Sequence, residues 1–349
     1  MYVVHFIITT LVLLLACVQN IINQQSAAKY EVMFYNLENF FDTIKDKTIN
    51  DSEYLPTSEK KWNTAKFNTK LTNINRVING IGNIPEIIGF CEFENKSILA
   101  SLIKSNAALK KFDIVHYESP DNRGIDVGLI YDSTIFKLLE SRPIYVQLGI
   151  NNDSINALNP KQGLGLINQL GDGRTRNILE VKLKRGQDTF VVYVNHFPSR
   201  RNGKEQSAFK RKQVAMELKK AINLVQHSKP NYKIIIMGDF NDEPMDESIF
   251  VTLGACGQAD SAKCGLLNLF YDYQLKKEGS YCYRDQWNML DQIIVSNNMK
   301  NRVLSTAIFK KDWLLQSGKY EGYPLRTFAG NLYLAGFSDH LPVIANFKF

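Results

Sequence analysis

The stretch KIIIMGDFNDEP, Lys233 to Pro244, sets an apolar run directly before Gly238 and a cluster of acids with one amide. A short continuous apolar run bounded by turn residues reads as a buried strand. Carboxylates at the end of such a strand are costly unless they are paired or hold a cation. Asp239 and Asn241 lie two apart, so they face one side while the chain stays extended. The stretch is therefore either a surface turn or a strand end that offers a charged acceptor and an amide to a cation and a phosphate.

Four other stretches share this design, an apolar strand whose end delivers polar groups. In VMFYNLEN, Asn36 and Glu38 stand two apart. In IIGFCEFEN, Glu92 follows five largely apolar positions, and hard oxygen ligands of this kind suit Mg²⁺ or Mn²⁺. In VVYVNHFPSRR, His196 ends a β-branched run, and Arg200 and Arg201 follow at once. Near the C-terminus, GFSDHLPVIANF places Asp339 and His340 just before an apolar strand. Each alone has an ordinary structural reading: a turn, a strand-end acid, a hydrogen-bonded histidine, a solvated basic turn. Their recurrence at strand ends is what points to a site, because a rigid sheet fixes position there.

Between these stretches, apolar spacing predicts helices over Lys66–Gly80, Ser97–Leu109 and Ser207–Val225, with a shorter one over Glu247–Leu253. FDIVHYES, IDVGLIYD, TRNILEVKLK, TFVVYVNHFPS, NMLDQIIVS and LPVIANFKF read as strands. Asp42–Trp62 reads as a surface loop, and the Gly- and Asn-rich Leu148–Gly173 as a long loop. Helices between some strands and hairpin-like pairs elsewhere imply an α/β (α+β) chain, a sandwich of mixed sheets with helices outside.

The 349 residues carry a net charge of +7, a mild bias toward anionic partners rather than the dense patch of a dedicated nucleic-acid binder. The first twenty residues contain no Lys, Arg, Asp or Glu, and Phe6–Val18 is short for a membrane span. Residues 1–28 read as a signal peptide with a small-x-small pattern at Ser26-Ala27-Ala28. The rival reading is a lipoprotein-type anchor through Cys17 in Leu14-Leu15-Ala16-Cys17. Residues 29–349 read as one domain. Export, periplasmic or secreted, implies an oxidising compartment in which Cys256 and Cys264 can pair; Cys91 reads as a buried thiol.

Taken together, FYNLENFFD, GFCEFEN, RGIDVGLIYD, NHFPSRRNG, IIIMGDFNDEP, WNMLDQIIVS and FSDHLPV resemble the endonuclease/exonuclease/phosphatase superfamily, in its exported bacterial branch, over roughly Tyr30 to Phe349. The resemblance implies a four-layer sandwich of two packed mixed β-sheets flanked by helices, as in pancreatic-type deoxyribonucleases. It implies a divalent-metal-dependent hydrolase of phosphoric esters, cofactor Mg²⁺ (or Mn²⁺). Glu92 would be the principal metal ligand, with Asn36 close by and Asp339 facing the metal directly or through water. His340 would bind the scissile phosphate and act as a base, oriented by Asp291. His196 would serve the leaving group or hold the phosphate, with Asp126 as its acidic partner. Asp239 would orient the nucleophile and Asn241 bind a phosphate oxygen. Arg176, and more weakly Arg123 and Arg200, would contact substrate phosphate. The implied substrate is DNA or RNA, acted on by a monomer. The alternative is a phospholipid or small phosphoester, with the aromatic-rich Lys311–Tyr333 either an exposed surface or a packed loop.

Overall fold

The computed structural model describes residues 29–149, 173–261 and 263–348. Residues 1–28, with the expected leader and Cys17, and most of the expected Leu148–Gly173 loop lie outside the described residues. Chain order runs β1 (Lys29–Phe40), α1 (Thr64–Gly80), β2 (Ile87–Phe93), α2 (Lys96–Ser105), β3 (Phe112–His116), β4 (Asp126–Asp132) and β5 (Lys137–Ile144). It continues through β6 (Ile178–Arg185), β7 (Asp188–His196), α3 (Lys204–Ser228), β8 (Lys233–Asp239), β9 (Ala255–Cys256), β10 (Leu266–Asn268), α4 (Tyr271–Leu275), β11 (Tyr281–Tyr283) and β12 (Gln286–Asn288). The last strands are β13 (Asp291–Ser296), β14 (Val303–Ile308), β15 (Phe328–Ala329), β16 (Leu332–Tyr333) and β17 (Val343–Lys348).

Two mixed sheets form, in the orders β14-β17-β1-β2-β4-β3 and β5-β6-β7-β8-β13-β10-β9. Their central strands are apolar at nearly every position because both faces are buried. In β8, Ile235 and Met237 enter the core between the sheets, while Ile234 and Ile236 face the outer layer under α3. In β1, Val32 and Phe34 take the inner face, while Met33 and Tyr35 pack outward with residues of α1 and α2. Period-two alternation thus sorts one apolar run into two cores, and three clusters stand between four layers. The sandwich expected from the resemblance is what forms.

Most expected elements form, with shifted ends. Asn63 caps α1 by accepting from the Lys66 amide, so the helix begins at Thr64 rather than Lys66. The second expected helix stops at Ser105, where Asn106 caps a separate single turn over Ala107–Leu109. Val214, Leu218, Ile222 and Val225 of α3 face inward as their spacing predicts. The stretch after Asp42 is not all surface: Trp62 is fully buried and donates its indole N–H to the Phe41 carbonyl. The edge strands β5 and β14 carry no run of buried positions, which is why their sequences give no strand signal.

Cys256 and Cys264 form a disulfide, and Cys91 is a buried free thiol. Within Lys311–Tyr333, Leu314 and Phe328 are buried and Trp313 packs on Phe337, so the segment is mainly a packed loop; Tyr320 and Leu332 stay exposed.

Candidate active site

The two sheets present their functional ends on one side of the sandwich. β7 and β8 are parallel, and His196 stands opposite Asp239 in their register. β13 runs antiparallel to β8, which sets its first residue, Asp291, opposite Asp239 from the other side. In the facing sheet, parallel β1 and β2 bring Asn36 opposite Cys91, and Glu92 follows. β17 is antiparallel to β1, so Asp339 and His340 arrive at the same end just before it.

Backbone irregularity aims these side chains. Glu92 sits at a register shift in β2 with φ of 58°, and Glu38, Asn39 and Asn241 also have positive φ. Non-glycine residues in the left-handed region store strain that the surrounding structure must hold. The bulge turns Glu92 toward the site, where it accepts from Asn36 Nδ2 at 3.2 Å and from the Asn39 amide at 3.1 Å.

Asp239 is the hub. It accepts from Asn36 Nδ2 at 3.0 Å, across the seam between the sheets, and from the Asn241 amide at 2.9 Å. Its carboxylate lies 3.7 Å from His196 Nε2 and 3.9 Å from His340 Nε2. Burial, opposed by His340 and reinforced by Asp291, lifts its pKa to about 7.

The two histidines are driven apart. His340 Nδ1 lies 2.6 Å from Asp291 Oδ2, and the buried Ser280 hydroxyl donates to the same oxygen at 2.5 Å. Burial pulls the His340 pKa down, but Asp291 and Asp239 together raise it well above the usual imidazole value. His196 is held well below that value by burial and then by Arg176 and Arg123. One imidazole is therefore cationic and the other neutral, the arrangement that separates acid from base roles.

The donor chemistry fits a hard divalent cation. Glu92 and Asp239 offer carboxylate oxygen on either side of the Asn36 amide, and a cation there would offset the cost of burying the Asp239 charge; Asp339, nearby in the loop before β17, is held by Arg326. Two other close groups fit less well. In Asp239–Asp291–His340 the imidazole is already committed to Asp291. In Cys91–His196–Asp239 burial keeps the thiol protonated.

Several expected contacts differ. Asp126 does not pair with His196: it lies 2.8 Å from His116 Nε2 and accepts from the Ser119 amide, because β4 faces β3 at that point. The His196 Nδ1 is buried without a hydrogen-bond partner. Arg200 does not face the phosphate position, since its guanidinium donates to the Asn241 carbonyl, Asn288 and Asp246. Arg176 is buried and donates to the carbonyls of His196 and Phe197 and to Asp121, so it anchors the end of β7. Arg123, half-exposed, keeps the freer cation beside His196. Asn241 and Asp239 do not project in parallel; the left-handed turn points the Asn241 amide at the Phe197 carbonyl. Glu38, two residues from Asn36, turns away to the Thr327 amide and Arg326.

Residues outside the expected set complete the site. Arg326 bridges Glu38 and Asp339, at 3.3 and 2.7 Å. Lys70 is fully buried, donates to the Glu38 carbonyl and to Thr327, and is pushed down to about 8 by that burial. Ser338 accepts from the His340 amide and donates to the Asn36 carbonyl. Tyr281 lies over the His340 ring with centroids 4.8 Å apart. Lys70 had one available signal, a lysine among the apolar positions of α1; Arg326 sits in a loop with no periodicity.

A model of the Endonuclease/Exonuclease/phosphatase family matches residues 31–348. Solved structures share the fold at low identity. A Bacteroides thetaiotaomicron mannosyl-6-phosphatase is 16% identical with a TM-score of 0.55, covering 92% of this chain and 100% of that one. The human nocturnin catalytic domain with bound sulfate is 15% identical with a TM-score of 0.51, covering 92% and 94%. D. rerio TDP2 in complex with a single-strand DNA product is 12% identical with a TM-score of 0.51, covering 92% and 100%. No curated protein sequence matches the chain.

Proposed function

Because the chain belongs to the endonuclease/exonuclease/phosphatase family, whose members hydrolyse phosphoric esters, we propose that it is a divalent-metal-dependent phosphodiesterase, an exported nuclease acting on DNA or RNA. The observation that carries the reading is the convergence on Asp239 of Asn36, His196, His340 and Asp291 from both sheets. Such a constellation can position a water, a phosphate and a cation together.

In this reading Glu92 and Asn36 hold Mg²⁺ or Mn²⁺, with Asp339 beside them. The bound cation supplies neutralisation of charge developing on the phosphoryl and leaving oxygens. Asp239 orients the attacking water and takes its proton. The His340 cation, held by Asp291, binds a phosphoryl oxygen. Neutral His196 donates from Nε2 toward the phosphate or the leaving oxygen. Arg123 offers positive charge on the His196 side, which suits a substrate that carries a phosphate there. The relationship to a DNA-bound TDP2 supports nucleic acid as the substrate class. The Cys256–Cys264 disulfide supports an oxidising compartment.

A substrate panel with Mg²⁺, with Mn²⁺ and with chelator tests the reading. Plasmid, single-stranded DNA and RNA should be cut only with metal. Intact nucleic acid beside hydrolysis of sphingomyelin or a sugar phosphate would replace it with a lipid or small-phosphoester enzyme. That second reading draws on the likeness to a mannosyl-6-phosphatase. Export predicts a mature chain that begins near Lys29, or partition into detergent if Cys17 carries lipid.

A further inference from the structure

A cavity of about 600 Å³ opens one residue from His340. The hairpin of β11 and β12 forms one wall, with Tyr281, Tyr283 and Arg284. The loop around Tyr320 and Arg326 forms the other, and Asp339 closes the end toward the catalytic groups. Tyr281 belongs to both spaces: it lines the cavity, and it pairs with His340 in an isolated bridge with its ring over the imidazole. Whatever fills the cavity is thus attached to, or next to, the group held by His340.

The state of the lining side chains narrows the ligand. The polar groups that read hydroxyl-rich ligands are engaged with the protein. Asp285 accepts from the Tyr323 hydroxyl at 2.7 Å, Gln316 donates to the Pro324 carbonyl, and Asp339 is taken by Arg326. What the cavity offers instead is aromatic surface and positive charge. Tyr283 and Tyr320 are 54% and 49% exposed, on different walls. Each carries a cation against its ring, Arg284 at 5.2 Å and Lys319 at 5.5 Å. Aromatic faces flanked by cations accept a planar, electron-rich ring bound to an anion.

We propose that this cavity is the specificity subsite of the enzyme and takes the base of the nucleotide bonded to the scissile phosphate, against the exposed rings of Tyr283 and Tyr320. The proposal rests on the nucleotide reading of the function above, and sharpens it from a phosphodiester to a base-bearing one.

The test is calorimetric binding to the full chain, with Ca²⁺ in place of Mg²⁺ to suppress turnover. The probes are adenosine 5′-phosphate and ribose 5-phosphate, which share the anion and sugar and differ in the base. The expected result is at least tenfold tighter binding of adenosine 5′-phosphate. In Tyr283→Ala/Tyr320→Ala the ratio should fall toward one. Tyr283→Phe/Tyr320→Phe, which keeps both ring faces, should retain the preference and controls for folding. Equal affinities in the wild-type protein, or a preference untouched by the alanine pair, would overturn the subsite. Cleavage of nucleic acid is scored separately. Cutting without base preference leaves the nuclease and removes the subsite. Base preference without cutting of polynucleotides keeps the subsite and makes the enzyme one for small nucleotide esters.

Discussion

At the scale of single residues, the site works by setting charges against one another. Asp291 has two tasks, to fix the His340 ring through Nδ1 and to keep it cationic. Asp291→Asn should preserve the fold, lower kcat/KM by roughly 100-fold or more, and move the limb assigned to His340 to lower pH, because an imidazole that loses its carboxylate loses its proton earlier. Asp239 shows the opposite tension. Its folded pKa of about 7 lies above the ordinary carboxylate value. The folded, metal-free protein therefore holds a proton that the unfolded chain has released between roughly pH 4 and 7. Stability should fall as pH rises through that window, and Asp239→Asn should make the slope shallower and raise Tm while eliminating activity; the remaining slope comes from Glu94 and Glu118, whose carboxyls desolvation raises to about 8 and about 7. Denaturant titration of both proteins at pH 5 and 8 without metal reads the difference; equal slopes in the wild-type and Asp239→Asn chains would show that the carboxylate is not destabilised.

At the scale of elements, the strand ends must hold position to within a fraction of an ångström. Gly238 lets β8 lie against β7, since a Cβ there would meet the Asn195 carbonyl at 2.4 Å. That atom is backbone and cannot swing aside. Gly238→Ala should cost about 1–3 kcal/mol in denaturant unfolding and depress activity further, because the clash separates Asp239 from His196. Behind the turn that follows, Arg211 is fully buried on α3 and meets Asp242 at 2.7 Å. Asp242 also accepts from Ser248, and its carbonyl accepts from Gln292. Arg211→Met leaves that acid buried without its cation. The expected loss is about 3–5 kcal/mol, partly recovered in Arg211→Met/Asp242→Leu if the pair serves stability alone.

For the whole molecule, the sandwich ties the site together across its seam. Asn36 to Asp239 and His340 to Asp291 are links between the two sheets. A cation held by Glu92 and Asn36 would bind the folded chain alone, so Mg²⁺ or Mn²⁺ at a hundred times its Kd should add about 2.7 kcal/mol to stability. Chelator should remove that increment together with activity. The Cys256–Cys264 disulfide closes a short loop beside β9, the edge strand of the second sheet. Its reduction should cost about 2 kcal/mol with turnover little changed, measured by denaturation with and without dithiothreitol.

The layered α/β plan and the central strands were written in the sequence, which also marked most of the residues that the structure gathers around Asp239. Those signals are local: apolar runs need burial on both faces, and an acid or histidine at the end of such a run needs a reason to be there. Asp239, His340, Glu92 and Asn36 were legible this way; Asp291 came from the family resemblance. Tertiary structure alone decided the partnerships. Asp126 went to His116 because β3 lies beside β4; Arg176 and Arg200 went to backbone carbonyls because strand ends leave acceptors without partners. Arg326 and Lys70 entered because two loops and a helix distant in sequence close over Glu38. Charge pairing between segments depends on which ends meet and at what distance, and no spacing along one chain encodes that. KIIIMGDFNDEP announced an acid with a task; only the second sheet showed what that acid would face.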